Sequence, residues 1–299
     1  MAGNRDIHTK ISLYESRTVG ETINIAIDFL RQNWRTALRL SVYLLLPIAL
    51  LHSVGIFSLV MSLKSDYYNS TDLGFLLTAL FFFIGLSVTY TLILTLVQYY
   101  QGSVDGDLSM LTFRDVRGVL WRNFKRVIAA MMPILLLMVL CSLVFAVLMF
   151  IPLVSLVALV AYFVLFFVMM MIPIYYTLEG VPLGLAFKRS FNHAKESWGR
   201  LLGLMFALLL VVFIILGATS MPMTVFTFAK DSLLPSGELD ITYEMILNII
   251  IYVFIVIETF FSYLSMALVV TAMVFHYGRN ARQHDDLAIG SDIDNFENL

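Results

Sequence analysis

Long stretches without Asp, Glu, Lys or Arg dominate the pattern of this sequence. Uncharged runs cover residues 40–63, 73–104, 127–178 and 201–229, and the run 245–278 is interrupted only by Glu258. A bilayer core about 30 Å thick needs roughly 20 apolar helical residues, so four of these runs predict one span each. The run 127–178 is long enough for two spans, and Pro152 marks a turn between them. The pattern therefore predicts six transmembrane helices.

Three amphipathic segments precede the first, third and fifth spans. Residues 20–36, 112–125 and 182–198 place apolar side chains at helical spacing and interleave them with Lys and Arg. Each segment is too charged to cross a bilayer, so we expect helices that lie at the membrane surface. Thr18 and Glu21 form a capping-box pattern at the start of the first one.

The three segments and their hairpins resemble one another. Before the odd spans stand Asn33-Trp34-Arg35, Asn123-Phe124-Lys125 and Ser197-Trp198-Gly199-Arg200, and the even spans end in Tyr99-Tyr100, Tyr175-Tyr176 and Tyr277. We predict an all-α integral membrane protein in which an amphipathic helix plus a transmembrane hairpin is repeated three times, over about 18–102, 112–180 and 181–279. Residues 1–17 form an N-terminal tail, 18–280 the membrane domain and 281–299 an acidic tail. The alternative is that aromatic and basic residues mark interfaces in any membrane protein.

The positive charges lie on one side of the predicted spans. Of 19 Lys and Arg residues, only Lys64 and Lys230 fall in connections on the other side. The positive-inside rule then predicts that both termini are cytoplasmic. The first 39 residues are too charged for the apolar core of a cleavable signal peptide. The expected partners are the lipid bilayer and the anionic headgroups that meet the basic faces; a protein partner and a homo-oligomer stay open as well.

Composition agrees with this membrane assignment. The chain is 60% apolar and 13% charged, with a mean hydropathy of +0.88. Soluble domains have about 45–50% apolar and about 25% charged residues. The composition therefore excludes a soluble domain and a nucleic-acid-binding protein.

Two stretches resemble a known family. The first stretch, residues 173–203, contains a proline near the end of a span, then Glu179-Gly180 and then Arg189-Ser190. The second stretch, residues 20–47, covers the first amphipathic segment and the start of the first span. Both are similar to the membrane domain of glycerophosphoryl diester phosphodiesterases and to related six-span bacterial families of unknown function. The resemblance implies a multi-pass protein of the bacterial plasma (inner) membrane. We expect no phosphodiesterase domain, because only the acidic tail follows the spans.

Two sets of residues are candidates for a functional role. Glu179 and Arg189 flank the turn after the fourth span, and we predict a structural ion pair there. Glu258 falls near the middle of the last span, where a charge costs about 2.5–3.5 kcal/mol on insertion scales. It should therefore face the bundle interior, with Ser262 on its own helix and His52 or Tyr90 on other spans as partners. An interhelical hydrogen bond and a protonatable site in a transport path are both open interpretations.

No catalytic motif accompanies these residues. The sequence has no His-Glu-x-x-His, no Gly-x-Ser-x-Gly and no phosphate-binding glycine loop, and its single cysteine excludes a disulfide within the chain. We therefore predict no catalytic residue, cofactor or metal. The first functional hypothesis is a non-catalytic scaffold or accessory subunit in membrane or envelope homeostasis. The second is a transporter or lipid-handling protein with a polar path near Glu258; an intramembrane enzyme is the least favoured class.

Overall fold

The computed structural model describes residues 10–64, 69–233 and 241–284. Most of the predicted N-terminal tail, the connection at 234–240 and residues 285–299 of the acidic tail lie outside these ranges. The described residues form helices and turns without a strand. The helices are α1 (Val19–Gln32), α2 (Trp34–Lys64), α3 (Asn69–Gly102), α4 (Phe113–Leu148), α5 (Pro152–Leu178), α6 (Leu183–Leu233) and α7 (Ile241–His284).

Six helices, α2 to α7, are long and apolar enough to cross a membrane. The predicted all-α protein with six spans is therefore confirmed at this level. The turn within the long uncharged run also lies where it was expected, because α4 ends at Leu148 and α5 begins at Pro152. Proline suits the first helical position, where its missing N–H would have no intrahelical partner.

The segments before the odd spans differ in how they join the spans. Asn33 separates α1 from α2 with φ −107° and ψ 16°, and Ser197 interrupts α6 with φ −118° and ψ 17°. Residues 113–125, by contrast, continue into the span as part of the 36-residue helix α4. The second predicted surface helix is therefore not a separate element.

Side-chain hydrogen bonds also differ between these three places. The Asn33 amide and the Ser197 hydroxyl each donate to the carbonyl four residues earlier, at 2.9 and 2.7 Å. Such bonds compete with the helical ladder and bend helices. Asn123 occupies the corresponding place in the second segment, but its amide donates across to Thr95 and Gln98 of α3, at 3.0 Å each. Asn123 thus connects α4 to α3 and lies within an uninterrupted helix.

The chain folds into two compact units. Unit 1 comprises Met1–Ala37, Tyr90–Leu208 and Leu268–Leu299, and unit 2 comprises Leu38–Thr89 and Leu209–Ala267. Unit 1 therefore contains α1 and the whole α4–α5 hairpin. Each unit has its own buried side chains, which are described separately below.

Aromatic rings form the core of unit 1. Phe29 contacts Tyr100 and Phe275 edge to face, with ring centroids 5.1 and 5.8 Å apart. Tyr175 and Tyr277 meet in the same way at 4.8 Å. All five side chains are buried. Such aromatic pairs add about 0.5–1.5 kcal/mol each beyond the burial of their area.

The N-terminal segment lies against the ends of α3 and α7 in unit 1. The backbone N–H of Ile11 donates to the Tyr100 hydroxyl at 2.9 Å. At Gly278, a Cβ atom would stand only 2.2 Å from the carbonyl oxygen of Leu13. Glycine is therefore required at this position for the segment to approach α7 so closely.

Unit 2 contains a comparable close approach. The ring of Tyr263 on α7 lies directly over Gly85 of α3, where a Cβ would come within 2.2 Å of the ring. The Tyr263 hydroxyl donates to the Phe81 carbonyl at 3.0 Å. Small residues let transmembrane helices pack closely, and here glycine admits a whole tyrosine ring.

Candidate functional site

The turn between α5 and α6 positions a buried carboxylate in unit 1. Gly180 has φ +70° and follows the last residues of α5, as glycine commonly does at a helix C-terminus. The chain then reverses into α6, which brings Arg189 to the Glu179 carboxylate as an ion pair. The Glu179 side chain is 4% exposed and that of Arg189 is 30% exposed. The structure thus places these two candidate residues in contact.

A second polar pair lies one turn deeper in the same hairpin. The Tyr175 hydroxyl and the Nδ1 atom of His193 share a hydrogen bond, and both side chains are buried. Tyr175 precedes Glu179 by four residues, and His193 follows Arg189 by four. Residues four apart share a helix face, so the two pairs follow one antiparallel register.

The N-terminal segment and α7 complete this polar cluster. Burial raises the pKa of the Tyr14 phenol; the nearby Tyr277 hydroxyl acts in the opposite direction, and the negative charge of Glu179 raises the pKa further. Glu179 also acts electrostatically on Tyr277. The carboxylate of Glu179 therefore lies among the N-terminal segment, α6 and α7, so it joins three parts of unit 1.

Two serine hydroxyls near His193 in sequence bond to backbone carbonyls. Ser190 donates to the Val168 carbonyl at 2.6 Å, and Ser197 donates to the carbonyl of His193 at 2.7 Å. Among the described residues, no group of three or more His, Cys, Asp or Glu is arranged to hold a metal ion. The Tyr175–His193 hydrogen bond and the Glu179–Arg189 ion pair thus both connect the end of α5 with the first half of α6.

An apolar groove runs between α5 and α6 in unit 1. Its volume is about 780 Å³. Leu156, Val160, Val164 and Val168 line the α5 side at intervals of four residues, and Lys195 is the only charged residue among the described residues of the lining. Small-molecule sites have volumes of roughly 300–1,000 Å³, so the groove is large enough for a ligand.

His52 lies in unit 2, paired with Tyr263. Its Nδ1 atom is 2.8 Å from the Tyr263 hydroxyl. Its Nε2 atom is buried and has no hydrogen-bond partner within the described ranges. A further polar contact joins Ser53 to Thr259, with the two hydroxyls 3.2 Å apart. The polar partner that the structure gives His52 is therefore a tyrosine.

The other residues of the predicted mid-membrane set are not brought together. Glu258 and Ser262 are half-buried in unit 2, and no described residue forms a hydrogen bond or an ion pair with the Glu258 carboxylate. Tyr90 belongs to unit 1, where its hydroxyl donates to the Met170 carbonyl at 2.8 Å. On α7, Glu258 lies at the edge of a buried stripe that contains Ile255 and Thr259.

The sequence reasoning missed the Tyr175–His193 pair and the groove. The pair could have been found from the predicted Glu179–Arg189 contact, because moving one turn along each antiparallel helix leads to these two residues. The groove carries no comparable signal, since its lining is apolar like the rest of the spans.

Comparison of the chain with protein-family models, with curated proteins and with solved structures finds no match. The resemblance of residues 173–203 to a phosphodiesterase membrane domain therefore stays a prediction.

Proposed function

We propose that this chain is a non-catalytic, lipid-handling membrane protein whose groove between α5 and α6 holds one acyl chain of an anionic phospholipid. The observation that carries the proposal is the apolar groove of about 780 Å³ within helices apolar enough to cross a membrane. The proposal keeps the lipid-handling hypothesis, and it moves the binding region from Glu258 to the groove.

The dimensions of the groove suit one chain of a single leaflet. Its lining on α5 extends from Leu156 to Val168, which is ~18 Å at a rise of 1.5 Å per residue. One leaflet contributes about half of a hydrocarbon core of about 30 Å, which is ~15 Å. A longer groove would suit a transmembrane helix of a partner.

The α6 side of the groove suits the headgroup region of a lipid. Lys195 and Trp198 both line the groove and are exposed. Tryptophan is enriched at membrane interfaces, and a lysine near the surface attracts an anionic headgroup by roughly 1 kcal/mol. An anionic phospholipid therefore satisfies both the apolar lining and the single charge.

A scaffold or accessory subunit in membrane or envelope homeostasis is the second candidate. It is favoured by an exposed apolar stripe on α4 that includes Leu136, Leu140, Leu143 and Val147. These residues recur at helical spacing, so a partner helix or a second copy of the chain could cover them. This proposal expects a protein, and not a lipid, to be retained on purification from native membranes.

The proposal also includes the type of membrane and the orientation of the chain in it. We place the chain in a bacterial plasma membrane with both termini cytoplasmic, on the charge asymmetry and on the resemblance to the phosphodiesterase membrane domain. In a Cys141→Ala background, cysteines at 115 or 195 should react with an impermeant maleimide only from the cytoplasmic side. Cysteines at 66 or 236 should react only from outside, and the reverse pattern would reject the orientation.

Lipid photocrosslinking tests the groove. Protein in nanodiscs is irradiated with phosphatidylglycerol that carries a diazirine in one acyl chain, and the crosslinked peptide is identified by mass spectrometry. We expect labelling of residues 156–168 or 191–202, and Ala161→Trp should reduce it at least about threefold by filling the groove. Ala146→Trp places the same ring on an exposed alanine of α4 outside the groove, so it should leave labelling unchanged. Equal labelling in both variants would overturn the proposal.

A further inference from the structure

Three arginines line one cavity in unit 1. The cavity has a volume of about 420 Å³ and is bounded by Arg17 of the N-terminal segment, by Arg200 of α6 and by Arg279 of α7. The first turn of α1 closes it with Thr18 and Glu21. Guanidinium groups offer planar sets of N–H donors that match phosphate and carboxylate oxygens.

Two of these arginines are buried with unused donors. Arg17 is 6% and Arg279 is 8% exposed. The Arg17 Nη1 and the Arg279 Nε atoms are buried and have no hydrogen-bond partner among the described residues. Buried donors are nearly always satisfied, and an unsatisfied charged one is costly. Neither of these two N–H groups therefore has an acceptor within the described part of the chain.

The remaining donors of both side chains are anchored. Arg17 Nη2 donates to the Ser12 carbonyl at 2.7 Å and to the Glu15 carboxylate at 2.5 Å. Arg279 Nη1 donates to the Arg17 carbonyl at 2.7 Å. The Arg17 guanidinium also lies 5.7 Å from the centroid of the Phe275 ring. These contacts fix the two guanidinium groups before any ligand arrives, which favours binding because less side-chain freedom is lost.

The charges around the cavity are not balanced within the described part of the chain. Arg200 forms neither a hydrogen bond nor an ion pair with a described residue, and its positive charge repels that of Arg279. Of the two carboxylates nearby, Glu15 is bonded to Arg17, and Glu21 accepts from the Thr18 N–H at 2.7 Å in the capping box of α1. Glu15 thus compensates Arg17 itself and Glu21 caps α1, so the three positive charges exceed the two nearby carboxylates by one.

We propose that Arg17, Arg200 and Arg279 form a binding site for a phosphate group, helped by the N-terminal end of α1. A helix N-terminus favours an anion, and Thr18, Val19 and Glu21 at the start of α1 line the same cavity as the three arginines. The phosphate belongs either to the headgroup of an anionic lipid or to a free phosphate. Arg200 is about half a turn around α6 from Trp198 and Leu202 of the groove, so this site goes beyond the proposed acyl-chain site.

Arg200→Gln is the variant that tests the site without disturbing the fold, because Arg200 is exposed and bonds to no described residue. Arg117→Gln is the matched control, since Arg117 is also exposed and does not line the cavity. Binding of orthophosphate and of pyrophosphate to the protein in neutral detergent is measured by calorimetry, with chloride at equal ionic strength as the reference. We expect Arg200→Gln to weaken binding about tenfold, the loss of one charge-assisted contact, and Arg117→Gln to leave it unchanged.

A separate experiment tests whether the phosphate belongs to a lipid headgroup. Nanodiscs of phosphatidylcholine alone are compared with nanodiscs that also contain phosphatidylglycerol bearing a photoreactive headgroup. The site is assigned to lipid if two results are found together. The lipid crosslinks to residues 16–21 or to Arg200 must fall severalfold in Arg200→Gln, and neither orthophosphate nor pyrophosphate must bind. The opposite pattern assigns it to a free phosphate. If neither probe binds, or if Arg200→Gln behaves like Arg117→Gln in both arms, the proposal is wrong.

A second variant sharpens the result. Glu21→Gln keeps the capping-box geometry, because glutamine also accepts from the N-cap backbone, and removes the negative charge beside the site. Phosphate binding should then tighten about two- to fivefold. Ala161→Trp, which fills the groove, should not change binding at the arginine site. The two proposals can therefore fail separately.

Discussion

The two units place polar groups in different ways. Unit 1 holds the Glu179–Arg189 ion pair and three arginines around a cavity. Unit 2, among its described residues, buries only neutral pairs on its helices, of which His52–Tyr263 is the main one. Its one carboxylate at mid-span, Glu258, is half-buried and bonds to no described residue.

This difference follows from what each environment can compensate. A hydrocarbon interior leaves backbone and side-chain polar groups without water, so neutral hydrogen-bonded pairs are the tolerated form. Charges persist where a counter-ion, a headgroup or a ligand balances them. The charges of unit 1 are therefore either paired or placed around the arginine cavity, whereas in the described part of unit 2 only Glu258 has an electrostatic cost that its neighbours do not offset.

The largest effect is expected from Glu179→Ala. This variant removes the Glu179 carboxylate, which is the ion-pair partner of the Arg189 guanidinium. Breaking a buried pair costs about 3–5 kcal/mol, and because Arg189 is about one-third exposed we expect about 2–3 kcal/mol. The free energy of unfolding can be measured by titration with sodium dodecyl sulfate in mixed micelles.

The exposed pair Asp28–Arg31 on α1 is the matched control. Its side chains are 41% and 78% exposed, so Asp28→Ala should cost less than about 0.5 kcal/mol. In the double variant Glu179→Gln with Arg189→Met, stability should partly return, because no uncompensated charge is left. Equal losses for Glu179→Ala and Asp28→Ala would show that the pair does not hold the hairpin.

The helices of the fold could be predicted from the sequence, but their joints could not. Uncharged runs determine where a helix must cross a bilayer, so six spans followed directly. The helix breaks at Asn33 and continues through Asn123, and the acceptor of each amide lies either on the same helix or on α3, which the sequence does not show. Identical residues in similar sequence contexts therefore gave different structures.

The candidate sites divide in the same manner. Glu179 and Arg189 lie ten residues apart across a turn, so a local argument could pair them. The partners of His52 and Tyr90 lie 211 and 80 residues away, and helix packing alone decides them. The arginine cavity was hidden for the same reason, because its members come from three distant segments.

Gly85→Ala should produce the next largest effect. The new Cβ would lie 2.2 Å from the Tyr263 ring, so the ring must move away from His52. Overpacking of this kind costs about 1–3 kcal/mol. Gly217→Ala, at a helical glycine of unit 2 with open space around it, should instead be neutral or slightly stabilising. Tyr263→Leu in the Gly85→Ala background should recover part of the loss; additive losses would mean that the ring and the glycine are not in contact.

A smaller change is expected from Tyr263→Phe. It removes the hydroxyl that bonds to His52 and to the Phe81 carbonyl while leaving the ring over Gly85. Interhelical hydrogen bonds in membrane proteins average about 0.6 kcal/mol, so a loss of roughly 0.6–1.5 kcal/mol is expected for two such bonds. Tyr252→Phe removes a hydroxyl that bonds to the Leu50 carbonyl at 2.9 Å, and serves as the single-bond control. If Tyr263→Phe lowers the free energy of unfolding no more than Tyr252→Phe does, the contact with His52 does not contribute to stability.

Glu258→Gln should change stability least, and it tests function most directly. Because no described residue bonds to the Glu258 carboxylate, replacing it with an amide of the same shape breaks no contact and should not lower the free energy of unfolding. The amide keeps hydrogen bonding and cannot titrate, so a proton-coupled path would lose its pH dependence in proteoliposome flux assays or in a cellular complementation assay over a range of pH. Full activity of the variant at every pH would eliminate the transport hypothesis and leave lipid handling in unit 1. A loss of activity without a loss of stability would instead make unit 2 the functional region. The function would then depend on the uncompensated Glu258 carboxylate.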